Sequence, residues 1–270
     1  MIPRVLIVAG SDSGGGAGIQ ADIKTVTMLG GYAASALTAL TAQNTLGVFS
    51  VTGVDPSLVR EQMRAVLDDI GADAIKTGML YSAPIIKVVA AELESRATSI
   101  PVVVDPVMVA KGGAALLDER ATGELIERLL PLAALITPNA PEAAALTGID
   151  VNHEDDLARV AERLLTLGPA AVLVKGGHLP GDRVVDVLRT IDGLEHRFES
   201  PRIPTRSSHG TGCTLASAIA TGIAEGLTLV SAIERARHYV ARALRTAPGL
   251  GQGHGPLNHG WPLAEKNRMN

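Results

Sequence analysis

Cysteine is almost missing from this sequence. Cys213 stands alone among 270 residues, so no internal disulfide can form and a reducing compartment suits the chain. Aromatic residues are nearly as scarce. One Trp, three Tyr and two Phe are too few for a base-stacking platform on single-stranded nucleic acid. A basic excess is lacking as well. Twenty-four Lys and Arg face 28 Asp and Glu, a net charge of −4, so no positive field draws nucleic acid or anionic lipid. Long apolar runs are absent too. The first is only Val5–Ala9, followed at once by Gly10, Ser11 and Asp12, which is shorter than a signal peptide needs. Nothing approaches the roughly 20 apolar residues of a membrane span. The expectation is a cytoplasmic protein with no nucleic-acid or membrane partner.

What remains is a chain that is 46% apolar, rich enough for a large core and near the upper size of one domain. Short β-branched runs at Arg4–Ala9, Ala33–Leu40, Ala74–Thr77, Pro101–Val104, Ala134–Thr137 and Ala171–Lys175 read as strands buried on both faces. Between them lie helical periods such as Val59, Met63, Val66 and Ile70, or Leu157, Val160, Ala161 and Leu164, or Leu229, Ile233, Ala236, Val240 and Leu244. This alternation predicts an α/β fold with a three-layer, doubly wound, mostly parallel sheet. Val48–Val54 and Val184–Glu199 read as antiparallel additions at its edges, and the tail after Pro248 as a wrap. No linker or repeat interrupts the chain, so one domain, 1–270, is expected. Such sheets bind ligands at the carboxyl ends of their strands.

Two glycine-rich turns fall at such places. The first, Gly10-Ser-Asp-Ser-Gly-Gly-Gly-Ala-Gly18, follows a strand and opens a helix near Ile19, a setting that favours an anion or another ligand. It has neither the dinucleotide spacing nor the Lys-Ser/Thr of a P-loop. The second, His209-Gly-Thr-Gly-Cys-Thr214, opens the apolar helix from Leu215 and leaves backbone N–H groups free for a developing phosphoryl charge. As an ordinary helix entry it would bury Cys213 as a small apolar residue. Asp105 and Glu142 offer hard oxygen donors at adjacent strand ends, as Mg²⁺ prefers, or else serve as helix caps. Lys175 ends a buried strand, where an unpaired charge is costly. Gln43 can donate and accept together, and Lys111-Gly-Gly113 has the composition of a flap.

Seven segments together carry a resemblance. They are Ala9-Gly-Ser-Asp-Ser-Gly-Gly-Gly-Ala-Gly-Ile-Gln-Ala-Asp22, Thr38-Ala-Leu-Thr-Ala-Gln-Asn44, Lys76-Thr-Gly-Met79, Val104-Asp-Pro-Val-Met108, Leu135-Ile-Thr-Pro-Asn-Ala-Pro-Glu142, Val174-Lys-Gly-Gly-His178 and His209–Thr214. In this order, from Arg4 to about His259, the chain resembles the hydroxymethylpyrimidine/phosphomethylpyrimidine kinases of thiamine biosynthesis, ribokinase-like enzymes. The resemblance implies ATP, Mg²⁺ and two successive phosphorylations, of an alcohol and then of its monophosphate. It implies Cys213 as the base, with a pKa lowered at the helix N-terminus, and Gly210, Thr211 and Gly212 as the anion hole. It places Gly10, Ala17, Asp22, Gln43, Met79 and Val107 at the pyrimidine, Asn139 and Lys175 at ATP, and Asp105 and Glu142 at the metal. A homodimer is left open. The rivals are a pyridoxal kinase of the same superfamily, a nicotinamide-dependent oxidoreductase suggested only by Gly10–Gly18, and a non-catalytic relative, which would be expected to lose Cys213, Lys175 or Glu142.

Overall fold

The protein is described from a computed structural model covering residues 1–108, 117 and 119–264. Lys111-Gly-Gly113 lies outside the described residues. Nine strands join one sheet: β1 (Arg4–Asp12), β2 (Tyr32–Asn44), β3 (Gly47–Gly53), β4 (Ala74–Thr77), β5 (Val102–Val104), β6 (Leu135–Ile136), β7 (Ala171–Lys175), β8 (Arg183–Thr190) and β9 (Glu195–Pro201). Their spatial order is β3-β2-β1-β4-β5-β6-β7-β8-β9. The six central strands are parallel, whereas β3, β8 and β9 pair antiparallel at the edges, as the sequence predicts. Two strands run further than their apolar stretches. Beyond a register shift after Ala9, Ser11 and Asp12 pair with Leu40 and Thr41. These polar residues read as turn in the sequence because only the neighbouring strand holds them extended.

Alternation along β1 sets the layers. Leu6 and Val8 face a core shared with α2 (Pro56–Asp69), α3 (Ala83–Arg96), α4 (Glu119–Glu124) and its π and 3₁₀ continuation to Leu132, α5 (Ala140–Thr147) and α6 (Glu154–Leu165). Val5, Ile7 and Ala9 face the opposite core with α1 (Gly18–Met28), α7 (Thr211–Ala224) and α8 (Leu229–Arg245). Asp55, with Pro56 at the first helical position, starts α2 by accepting from Ser57 N–H, so the apolar face with Val59 and Met63 is presented in register. The chain winds outward from β1 in one direction and returns to β4 on its other side. The strand order therefore reverses at β1, which puts a crevice at its carboxyl end.

The carboxyl-terminal segment is anchored to this crevice. Asn258 N–H bonds Ala243 O, the Tyr239 hydroxyl donates to His259 O at 2.6 Å, and His259 Nε2 lies 2.9 Å from Thr214 Oγ1. Thr214 spends its single hydroxyl proton on Gly210 O, so its lone pair accepts from a neutral His259. Burial pushes the His259 pKa down to about 4, and Lys24 adds to the effect. The unfolded chain therefore binds a proton that the fold refuses between about pH 6.5 and 4. Stability from this group is full above the unfolded value and is lost as pH falls through that window, by on the order of 3 kcal/mol. His259→Gln should flatten that part of the profile in urea unfolding. An unchanged acid-side slope would contradict the assignment.

Candidate active site

The crevice opens into a cleft of about 950 Å³ along the carboxyl ends of β1, β4, β5, β6 and β7. Asp12, at the end of β1, organises the first turn. Its carboxylate accepts from Gly14 N–H at 2.8 Å, Gly16 at 3.0 Å and Ala17 at 2.8 Å, and it meets His209 Nε2 at 2.9 Å. Burial opposes the charge, but the His209 bond and these N–H groups win and hold the carboxyl below its usual range. The turn's donors are thus consumed internally. It is not the anion cradle its glycines suggest. Gly18 directs its N–H to the Cys213 thiol.

The second turn does keep donors open. Gly210 is left-handed (φ 84°) at the α7 N-cap, and a β-carbon there would collide with Gly16 O, so the two turns touch through glycine. Thr211 N–H lies 3.4 Å from Ser208 O. Those of Gly210, Gly212 and Cys213 find no backbone acceptor among the described residues. Cys213 corrects one expectation. Burial pushes its thiol up to about 12 despite the neighbouring Lys76, with Asp22 and Asp105 adding to the rise. Desolvation exceeds the benefit of the helix N-terminus, so the thiol is protonated at neutral pH.

Asp105, Lys175, Glu142 and Asn139 meet as the sequence suggests. Lys175 Nζ is 3.0 Å from Asp105 Oδ1, and Thr137 Oγ1 donates to the same oxygen at 3.2 Å. Asn139 and Glu142 form a capping box on α5: Asn139 Oδ1 accepts from Glu142 N–H at 2.9 Å, and Glu142 Oε2 from Asn139 N–H at 2.8 Å. Burial pushes Glu142 up to about 7. Lys175 resists this and Asp105 reinforces it. No group of three His, Cys, Asp or Glu poised to chelate a metal occurs among the described residues.

Beneath Cys213 lies an ion pair that the sequence reading misplaces. Asp22 is fully buried and does not line the cleft. Its oxygens meet Lys76 Nζ at 2.8 and 2.9 Å, and one accepts from Ser217 Oγ at 2.7 Å. It is a floor residue and not a pyrimidine contact, because it faces an equally buried lysine. Burial works against the Lys76 charge, but Asp22, with Cys213 and Asp105 nearby, overrides it and raises the pKa. Lys76, Asp12 and His209 are the residues missed. For Lys76 a signal existed, a lysine inside a strand with no exposed position, which demands a partner.

The other predicted residues line the cleft: Gly10, Ala17, Gln43, Met79 and Val107. A β-carbon on Gly10 would strike the Met79 methyl, so glycine is what lets the methionine lie over β1. Val240, Ala241 and Leu244 of α8 and the residues Ile203 and Pro204 line it too. There Arg237 pairs with Asp186, donates to Ser200 Oγ at 3.0 Å and lies over the Phe198 ring. Asp186 also accepts from Gly176 N–H at 2.9 Å, bracing the loop after Lys175. The sequence reading passed over this pair.

An apolar slot, a cationic middle, a helix N-terminus with open donors and a polar pocket define a small-molecule kinase on a three-layer α/β scaffold. The chain belongs to the phosphomethylpyrimidine kinase family, whose profile matches residues 12–258. It is 51% identical to the hydroxymethylpyrimidine/phosphomethylpyrimidine kinase of Streptomyces coelicolor over 97% of this chain and 96% of that one. It is 57% identical to the thiamine biosynthesis bifunctional protein ThiED of Geobacter sulfurreducens over 94% of the chain, which spans about half (52%) of that protein. An ADP complex of Bacillus subtilis pyridoxal kinase superposes with a TM-score of 0.88 at 34% identity, covering 100% of both chains. The fold is ribokinase-like.

Removing Lys76 alone strands the Asp22 charge. Lys76→Met should cost about 3–5 kcal/mol, and Lys76→Met with Asp22→Leu should recover a large part of it. Urea unfolding of both variants reads this directly. A mild single variant would mean that the pair is not ionised.

Proposed function

We propose that this chain transfers the γ-phosphoryl group of ATP to 4-amino-5-hydroxymethyl-2-methylpyrimidine and then to its monophosphate, in thiamine biosynthesis. The observation that carries this reading is that one cleft is lined by the apolar Val240 and Leu244, by Lys175, by the start of α7 from Gly210 to Cys213, and by Gly10, Gln43, Met79 and Val107. The N–H groups of Gly210, Gly212 and Cys213 have no backbone acceptor among the described residues. The slot under Val240 and Leu244 suits an adenine face. Lys175 and the loop after it suit the phosphates.

The donors fit Mg²⁺. Two buried carboxylates, Asp105 and Glu142, lie close enough for one to raise the other's pKa, and a divalent cation relieves that repulsion. No three-ligand protein cage occurs among the described residues, so Asp105 and Glu142 would hold the ion within a shell otherwise made up by water and phosphate oxygens, as Mg²⁺ favours. The bound ion neutralises phosphate charge. The chain's own groups do the rest. Gln43 and Met79 orient the pyrimidine so that its hydroxyl faces Cys213. The free N–H groups stabilise charge on the equatorial oxygens, and a loose transition state asks little of a base. Because the thiol is already protonated, Cys213 takes the hydroxyl proton only as it passes its own to an oxygen of the transferring phosphoryl group, late, as the new O–P bond forms and the P–O bond to ADP breaks. ATP as phosphoryl donor suits a cytoplasmic enzyme, and a homodimer is left open.

The test is coupled ATP turnover over a panel of pyrimidine and pyridine alcohols. The pyrimidine should be favoured. Pyridoxal is the second reading, prompted by the pyridoxal kinase superposition, and preferential turnover of it would replace the first. No alcohol-dependent ATP consumption at all would sink both.

Cys213→Ser preserves the backbone donors while raising the side-chain pKa further. Because the thiol itself starts at about 12, the loss in turnover should fall near the low end of general-base effects, about 10²-fold, with ATP affinity little changed. A fully active Ser variant would remove Cys213 from proton transfer.

A further inference from the structure

Gln43 is poised to read the pyrimidine edge, yet a free amide reads two edges equally well. With N–H on one side and C=O on the other it fits a 4-aminopyrimidine, whose ring nitrogen accepts while the amino group donates. Rotated by half a turn about its last bond it fits a 4-oxopyrimidine, whose ring N–H donates while the oxygen accepts. Discrimination between the two therefore requires that something hold the amide still.

The surroundings of Gln43 do so. Gln43 Nε2 is placed 3.0 Å from His209 Nε2 and Oε1 3.3 Å from Thr41 Oγ1, but which end of an amide is the nitrogen is assigned from its bonding partners. His209 Nε2 also lies 2.9 Å from Asp12 Oδ2. That oxygen already accepts from Gly16 and Ala17 N–H and belongs to a carboxylate with nothing to donate. Nε2 therefore carries the proton, in the neutral ring and in the charged one alike. An Nε2–H cannot accept from an amide NH₂, so the group facing His209 is the Gln43 carbonyl, which shares that proton in a three-centre bond. The NH₂ then faces Thr41, and Thr41 agrees. Its hydroxyl donates to Ser11 O at 2.9 Å and has only a lone pair left, which accepts an amide N–H. With this orientation every donor has an acceptor. With the reverse orientation two N–H groups collide at His209, and one hydroxyl proton must serve two acceptors at Thr41. One N–H and one oxygen lone pair of Gln43 remain, in a fixed order, for a ligand.

We propose that His209, held by Asp12 and opposed by Thr41, is a specificity-determining positioning residue that locks the Gln43 amide and so selects 4-aminopyrimidine alcohols over their 4-oxo counterparts. The inference rests on the reading that Gln43 contacts the pyrimidine. A lock of this kind leaves the wrong edge with unpaired buried groups, which is where strong discrimination comes from.

The experiment measures kcat/KM of the full chain for 4-amino-5-hydroxymethyl-2-methylpyrimidine and for its 4-oxo analogue. The wild type should favour the amino compound. His209→Leu should reduce the amino-to-oxo ratio by about 10- to 100-fold. His209→Gln, whose amide N–H can reach the same place, should restore much of it. Thr41→Val removes the opposing acceptor, together with the bond to Ser11 O, while leaving His209 and Asp12 themselves unchanged, so it should move the ratio the same way by a smaller factor. It carries the test if the His209 variants fail to fold. A ratio that stays at the wild-type value in His209→Leu, or in Thr41→Val where His209→Leu does not fold, while both rates fall together, would overturn the lock and leave His209 as scaffolding for the turn. Gln43→Ala separates the two levels. If it changes neither the ratio nor the pyrimidine KM, the underlying reading of Gln43 is wrong. If it abolishes discrimination while the lock variants do not, only the lock is wrong.

Discussion

Lys76 is fully buried, and the chemistry of the cleft is built above that fact. A fully buried ammonium survives only beside a carboxylate, and Asp22 reaches up from α1 to supply it, with Ser217 of α7 closing the triangle. The pair ties β4 to both helices whose amino ends border the reacting centre. It also sets the local charge balance. Two lysines, 76 and 175, face Asp22 and Asp105. Burial nonetheless pushes Glu142 and the Cys213 thiol up, against the pull of Lys175 and Lys76 respectively.

The two glycine-rich turns divide their labour by what happens to their N–H groups. In the first, the Asp12 carboxylate consumes them, and the turn becomes a stiff wall. In the second, the left-handed Gly210 and the start of α7 leave donors without backbone acceptors among the described residues. His209 precedes the second turn in sequence and bonds the aspartate of the first. The two turns are therefore tied to each other. Order in the apo state reduces what must be paid in entropy when ligands bind.

Much of the molecule was legible before folding. The buried strands announced themselves as apolar runs, and Val48–Val54 and Val184–Glu199 as added strands at the edges. Lys175, Asp105, Glu142 and Asn139 were marked by polarity at strand ends. Strand ends were misjudged where polar residues such as Ser11 and Asp12 are extended only because Leu40 and Thr41 pair with them. Asp22 was misjudged for a related reason. Its spacing within a glycine-rich segment says it is near the site, but not whether its carboxylate faces the ligand or a lysine on another strand 54 residues away.

Local periodicity and composition determined the layered sheet, the absence of any membrane-length segment and the places where function collects, because each depends on neighbours within a turn or a strand. Tertiary structure alone decided the state of each group there. A thiol at a helix N-terminus looks acidic in sequence and is pushed up by burial. A glycine turn looks like an anion cradle until an aspartate fills it. An amide looks free to rotate until a histidine from residue 209 meets it. Charge and hydrogen bonding inside a protein depend on what lies within a few ångströms, and those neighbours come from parts of the chain that no local pattern connects.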